Sequence, residues 1–412
     1  MTRIVKYLIV LTLLFALSAG TQAKTTVTML MDGQANWKDP FDETLDLFHE
    51  KHPDIEVDIV WVAGGWQQVG ERIIAMTLAG TPPDVLRIVA EQVDMMANAG
   101  MIGPIDDLVE RDGVSMDDYF PVAVQMFSRD GKLLGIPWSV NALTLHYNIP
   151  LFGEAGVETP TEEWEWADLL SAAQKLTRRN NADGSVSVYG FQLPPPGPFG
   201  VFPWIYQNGG RPLSADQRRS LLHEPAAYEA IQWLADLRWV HGVAPVQGEP
   251  HNFQNQMTAI FPHGRSALRG FLSVDGLEFG VQMLPKGRKG RATMMGGGMF
   301  TVHPQSDDRD AAWEFVKFLA GPEHQLLIAS RQITTPTLRS AATSPEYVDI
   351  PLGAHYYIEQ LAYAHPAPSP INFQDFQRVF QRQLNAALNN TISARQAMEQ
   401  ATDELDVILS RD

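Results

Sequence analysis

The first hundred residues switch repeatedly between two hydrophobic periodicities, and that switching limits the folds open to the chain. Thr25–Asp32, TTVTMLMD, is a β-rich run, followed by a loop over Gly33–Asp39. In Pro40–Glu50, Phe41, Leu45 and Phe48 share one helical face, and Pro53 ends the pattern. Ile55–Val62 puts Ile55, Val57, Ile59 and Trp61 on one side, as a strand does. Trp66–Ala79 reads as a helix that stops at Gly80, with Pro82 and Pro83 beyond. Asp84–Val89 is a third strand and Gln92–Ala99 a third helix, ending at Gly100. Strands alternating with helices predict right-handed crossovers, hence an α/β fold with a mostly parallel sheet flanked by helices.

Gly135–Asn148, GIPWSVNALTLHYN, is a long β-like stretch of mixed pattern, as a strand passing from one lobe to another would have. Thr161 is read as the cap of a helix with Glu162 and Glu163 in its first turn and Trp166, Leu169, Ala173 and Leu176 on its buried side. LPPPGPFG, residues 193–200, reads as a stiff loop, Tyr228–Val240 as a helix, and Phe279–Leu284 as a strand leaving through Pro285, Lys286 and Gly287. Gly296, Gly297 and Gly298 then open the apolar run Met299–Val302. A polar turn over Gln305–Asp310 follows, then a helix with Ala312, Trp313, Val316, Leu319 and Ala320 on one face, stopped by Gly321-Pro322. A glycine run at a strand lets a ligand reach bare backbone, or it marks a tight turn. From Phe373 onward the pattern is helical.

The N-terminus reads as a targeting segment. Arg3 and Lys6 precede the apolar run Tyr7–Ala19, which is too short to span a bilayer, and Thr21-Gln22-Ala23 offers small residues for cleavage. A signal peptide over residues 1–23, removed after Ala23, is expected, with an uncleaved anchor as the alternative. The chain contains no cysteine, which excludes disulfides, thiolate metal sites and cysteine nucleophiles. Loss of Arg3 and Lys6 takes the formal net charge from −17 to −19. Such an acidic surface argues against nucleic acid and anionic membranes as partners.

The chain resembles the family 1 extracellular solute-binding proteins of sugar-importing ABC transporters. The resemblance rests on FHEKHPDIEVDIVW (48–61), GTPPDVL (80–86), GIPWSVNALTLHYNIPLF (135–152), WEWADLLSAAQKLT (164–177), YGF (189–191), WIYQNGG (204–210), MTAIFPHGRSAL (257–268), MLPKGRKG (283–290), the glycine-rich stretch and TPTLRSA (335–341). Their order matches the family's across nearly the whole mature chain. The layout is most similar to maltose- and oligosaccharide-binding proteins, with glycerol-phosphate binders as near relatives. The resemblance implies a type II-like periplasmic binding protein of two α/β lobes with a ligand cleft between them. Residues 24–137 and 286–332 would build the first lobe, and 138–285 and 333–412 the second. The crossing segments Pro137–Asn141 and Leu284–Gly287 would act as hinges. The function implied is capture of a sugar or oligosaccharide in the periplasm and delivery to an inner-membrane permease, by a monomer without cofactor or metal.

A sugar site needs aromatic plates and a few polar groups aimed at hydroxyls, and in a doubly wound sheet it lies beyond the carboxyl ends of the strands. After the first strand, Gln34 and Asn36 suit hydroxyls and Trp37 suits stacking, unless this is a capped loop with one exposed Trp. After the second, Trp66 is either a plate or a staple for the helix it starts. After the third come Glu91 and Gln92, where the resemblance implies a hydroxyl-binding pair; Glu91 is alternatively a favourable charge in a helix's first turn. The resemblance also places Trp138 and Asn141 in the cleft, although Asn141 departs from the carboxylate often found there. Gly297 and Gly298 would offer bare backbone. Trp204, like Phe199, is platform or core. Arg265 stands where many relatives carry Pro-Trp, and a guanidinium there suits a carboxylate, phosphate or hydroxyl-rich ligand, or else it is a surface residue. Arg339 is a similar case, and Phe373 with Gln374 would close the cleft's far end.

Other motifs fail on spacing. His49 and His52 are three apart rather than four and meet Pro53, so HEKH is no zinc site. Leu268 stands where a nucleophile elbow needs glycine. Two alternatives remain: a polyol or glycerol-phosphate binder with Arg265 and Arg339 as anion partners, and a secreted carbohydrate-active enzyme, which would need two carboxyls about 5–10 Å apart.

Overall fold

In a computed structural model of the protein, residues 24–33, 35–180 and 182–411 are described, without the side chains of 35–37. The expected signal peptide therefore lies outside the described residues. Among them, nine strands form one sheet: β1 Thr25–Asp32, β2 Ile55–Val62, β3 Val85–Val89, β4 Ile136–Asn148, β5 Ile260–Gly264, β6 Phe279–Gln282, β7 Thr293–Val302, β8 Thr335–Pro336 and β9 Ala364–Pro366. The alternating runs of the N-terminal third fold as read. β1 pairs in parallel with β2, from Thr25 opposite Ile55 to Asp32 opposite Val62, and with β3 at Met29 and Val85.

β4 and β7 tie the two halves of the molecule together. β4 pairs antiparallel with β7 over its first half and with β5 and β6 over its second. β7 pairs antiparallel with β3 over Gly298–Val302 and in parallel with β9 over Thr293–Met295. The short β8 lies along β4 at Ser139 and Val140. Because these strands are covered on both sides, β4 has no simple alternation: every residue is buried except Asn141. β7 is likewise buried everywhere but at Gly297.

The helices that matter below are α1 Ala35–Lys51, α2 Trp66–Leu78, α3 Trp166–Leu176, α4 Pro198–Gln207, α5 Pro225–Trp239, α6 Arg309–Ala320, α7 Pro322–Ser330, α8 Phe373–Leu388 and α9 Ala394–Leu409. Several helix starts differ from the sequence reading: α4 opens at Pro198, inside the loop expected over 193–200, α5 opens at Pro225 rather than Tyr228, and α1 and α3 are displaced as well. α1 begins at Ala35, within the loop expected over Gly33–Asp39, and Pro40 sits inside it at the cost of one backbone rung. Thr161 does not cap α3. Its hydroxyl accepts the Glu163 N–H in a separate turn, and α3 starts later, where the Asp168 carboxylate takes the Glu165 N–H at 2.9 Å.

Three apolar clusters hold the fold. One packs β1 and β2 against α1 and α6 through Val27, Met29, Phe41, Phe48, Trp313 and Phe315. The largest runs from Leu30, Leu86 and Ile88 through β4 to α3, α4, α5, α8 and α9. The third gathers Phe253, Phe261, Phe271, Phe279 and Tyr357 around β5 and β6. Burial on this scale, at roughly 25 cal/mol per Å² of apolar surface, lets a chain without disulfides hold together. No helix among the described residues is long and apolar enough to cross a membrane.

Candidate functional site

A cleft of about 350 Å³ opens where β4 and β7 pass between the halves. That is near the lower end of the roughly 300–1,000 Å³ usual for small-molecule sites. Its floor is made by strand ends and by the two open positions of the crossing strands: Asp32 from β1, Arg87 and Val89 from β3, Ser139 and Asn141 from β4, and Gly296 and Gly297 from β7. A Cβ on Gly297 would collide with the Ser139 carbonyl, so the close approach of β4 and β7 requires glycine there. Glu91, in the 3-10 turn that follows β3, and Trp66, at the start of α2, form one wall.

The facing wall comes from the proline-rich loop and the start of α4, from Phe373 and Gln377 of α8, and from Ser266, Ile333 and Thr334. Gly197, which leads into α4, has φ +134°, a conformation that L side chains avoid. The Trp66 and Phe373 rings approach to 6.1 Å across the cleft, and Gln67 donates to Gln377 at 2.9 Å beside them.

The electrostatics of the floor are distinctive. Arg87 is the only cationic side chain among the described lining residues, and it is already paired: its Nη1 donates to Asp32 at 3.1 Å, both side chains being more than nine-tenths buried. Trp138 lies beneath it, its ring 5.5 Å from the guanidinium carbon. Glu91 is half-buried, and loss of hydration pushes its carboxyl up to about 7. Asn141 donates to Ser266 at 3.2 Å, joining the floor to the far wall. Ser139, Ser266, Thr334, Asn141 and Gln377 supply short polar groups, and Trp66, Phe199 and Phe373 supply aromatic surface. Plates with neutral donors and acceptors match the hydroxyl rims and C–H faces of polyhydroxy compounds.

Of the residues singled out from sequence, the cleft brings together Trp66, Glu91, Asn141, Phe199, Gly296, Gly297 and Phe373. Gln34 lies outside the described residues, as do the side chains of Asn36 and Trp37. Gln92 is buried behind Glu91 and donates to the Trp66 carbonyl, so it supports the wall rather than lining it. Trp138 is fully buried, stacked on Phe300 at 5.0 Å; both faces of β4 are covered, so strand parity did not expose it. Gly298 packs on that indole, 2.5 Å separating an added Cβ from Nε1. Trp204 is core as well: it stacks on Trp233 at 5.2 Å and donates to the Gly200 carbonyl.

Arg265 is the largest departure. It is 1% exposed and turned away from the cleft, its guanidinium carbon 3.5 Å from the Tyr347 ring centroid and 4.8 Å from that of Tyr357. It donates to the Gln332 side chain and, at 3.1 Å, to the Tyr347 carbonyl. Its neighbour Ser266 is the residue that reaches the cleft. Arg339 lies at the surface, donating to the Asp117 carbonyl. The sequence reading passed over Asp32, Arg87, Ser139, Ser266, Thr334 and Gln377. A signal existed for two of them: Asp32 ends the first strand, where ligands bind in such sheets, and Arg87 is the one charge in an otherwise apolar strand.

This geometry, a polar cleft at the crossover of two α/β halves, defines a two-lobed binding protein. The chain belongs to the bacterial extracellular solute-binding protein family, whose model matches residues 30–326. It is 25% identical over 298 residues to an arabinooligosaccharide-binding protein of Halalkalibacterium halodurans; the match spans 68% of this chain and 64% of that protein, less than two thirds of its length. It is 22% identical to an sn-glycerol-3-phosphate-binding periplasmic protein of Yersinia pseudotuberculosis, over 98% of this chain and 96% of that one. In fold it is similar to an ABC substrate-binding protein of Listeria monocytogenes in complex with cycloalternan, with a TM-score of 0.83 at 22% identity, covering 94% of this chain and all of that one.

Proposed function

We propose that the protein captures a neutral sugar or oligosaccharide in this cleft, outside the inner membrane, and delivers it unchanged to an ABC permease. The observation that carries the reading is the paired state of Arg87: the only cation among the described lining residues already faces Asp32, beside the carboxyl of Glu91. Sites for phosphate or carboxylate commonly aim a guanidinium at the ligand, and here that group is already engaged. Hydroxyls ask instead for amides, hydroxyls, a carboxyl and aromatic surface, and these fill the remainder of the lining. The arabinooligosaccharide-binding relative supports the same reading.

The mature protein on this reading is a periplasmic monomer released by cleavage after Ala23. Residues 24–137 and 286–332 form one lobe and 138–285 with 333–412 the other. Pro137–Asn141 and Leu284–Gly287 bend as the lobes close on ligand. The second reading is a glycerol-phosphate-type ligand, favoured by the Yersinia relative that matches along nearly the full chain.

A thermal-shift screen of the mature protein against maltose, arabino- and galacto-oligosaccharides, polyols and sn-glycerol 3-phosphate separates the two. A ligand at 100 times its Kd adds about 2.7 kcal/mol of stability. Stabilisation by a neutral sugar is expected; stabilisation by the phosphate ester alone would establish the second reading. Mass spectrometry of the hit after incubation should return it unaltered, and turnover would replace both readings with an enzyme.

A further inference from the structure

Outside the cleft, a second set of polar contacts joins the two halves around one carboxylate. Asp94 lies one turn beyond Glu91, in the short helix Val93–Asn98. Its backbone N–H donates to the Ser369 hydroxyl at 3.1 Å, and its Oδ2 accepts from the Gln217 amide at 3.3 Å. On its own side, Oδ1 is held by Arg129 Nε at 2.5 Å, and Arg129 is fixed in turn by the carbonyls of Met126 and Ser128. On the opposite side, Gln217 is aimed by the Ser369 N–H, which donates to its Oε1 at 2.7 Å. Gln217 sits at φ +57°, a left-handed conformation uncommon for a residue with a side chain. Ser369 is buried. None of these four residues lines the ligand cleft.

Asp94 and Arg129 follow β3 in the N-terminal half, whereas Gln217 and Ser369 belong to the segments that pack with α4, α5 and α8. Each partner is pre-aimed by contacts within its own half, and only two bonds cross between them. We infer that Asp94, Gln217 and Ser369 form a clasp that biases the protein toward the closed arrangement of its lobes and so sets apparent affinity without touching ligand. Affinity scales with the populated fraction of the binding-competent form, so a residue remote from the ligand can change it through that fraction alone. The inference rests on the two-lobed reading but on no choice of ligand. The crevice beside the clasp, lined by Asp94, Asn98, Asp216, Gln217 and Asn372, is where the halves would part first.

The absence of cysteine makes the test direct. Spin labels at Ala99→Cys and Asp403→Cys, both exposed positions, report the distance between the halves in the mature protein with no ligand added. Ser369→Ala and Gln217→Ala each remove one crossing bond. Each should lower the ratio of short to long distances about fivefold, and the double variant should lower it further. Ser369→Thr, which keeps the hydroxyl, should restore the parent distribution. Gln217→Glu, which sets a second carboxylate against Asp94, should open the halves most. Identical distance distributions in parent and double variant would overturn the inference, whether or not the melting temperature falls. Because no ligand enters the measurement, this failure is distinct from failure of the sugar reading.

Discussion

Replacing Arg265 tests whether its guanidinium serves the fold or the ligand. The residue is fully enclosed, with Tyr347 and Tyr357 on its faces and the Gln332 side chain and Tyr347 carbonyl as acceptors. Desolvated cation–π contacts are each worth about 2 kcal/mol. Two stranded acceptors in Arg265→Met would add about 1–3 kcal/mol apiece to the loss. Against this, removing a buried charge returns several kcal/mol of desolvation cost. The balance is a loss of about 3 kcal/mol. Arg265→Lys should lose a similar amount, because an ammonium cannot lie flat between two rings. Urea unfolding followed by tryptophan fluorescence measures the change, and calorimetric titration with the sugar found in the screen measures affinity well below the transition. The expected result is a lower unfolding midpoint with affinity within about twofold of the parent. Unchanged stability with an affinity drop of tenfold or more, about 1.4 kcal/mol, would place Arg265 in the ligand's path and refute the reasoning.

Glu91 should make stability depend on pH. Its folded-state pKa, near 7, lies above the unfolded value of 4.5, so the native form binds the extra proton and stability falls as pH rises between those values. Glu91→Gln should therefore unfold at higher urea than the parent at pH 8, by about 1–3 kcal/mol, with the difference gone below pH 4; equal midpoints at pH 8 would contradict the burial argument. Gly297→Ala should destabilise the protein by about 1–3 kcal/mol, since the new methyl has to displace the Ser139 backbone in the neighbouring strand. A stable Gly297→Ala variant in a thermal melt would show that β4 and β7 are not held at this spacing.

Periodicity carried the strands and helices because each has one dominant buried face. Thr25–Asp32 and Ile55–Val62 run to the residue as read, and Trp66 opens α2. Periodicity failed where a segment is covered on both sides. Periodicity in GIPWSVNALTLHYN does not separate Trp138, which is core, from Asn141, the one open position, because the neighbours that bury Trp138 are Phe300 and α7. The same limit explains Arg265: the turn containing it does border the cleft through Ser266, but Tyr347, which captures the guanidinium, lies 82 residues away. Long-range partners decide which of two adjacent side chains turns inward. Arg87 could have been found, since a charge in an apolar strand needs a partner, and Asp32 at the end of the adjacent strand supplies it.

The crossing strands leave the cleft floor very few editable letters. β4 and β7 are each buried at every position but one, and one of those two is a glycine that admits no side chain. A lineage changing its cargo cannot work through these strands without unsettling the core on either side. It has to write new preferences into the rim: Trp66, Glu91, the Pro195–Gly200 segment that leads into α4, Ser266, and the Phe373–Gln377 edge of α8. Diversification of cargo in a protein built this way is therefore expected at the rim rather than in the floor. A swap of that rim between two members of the family should move ligand preference with it, while the strands beneath stay as they are.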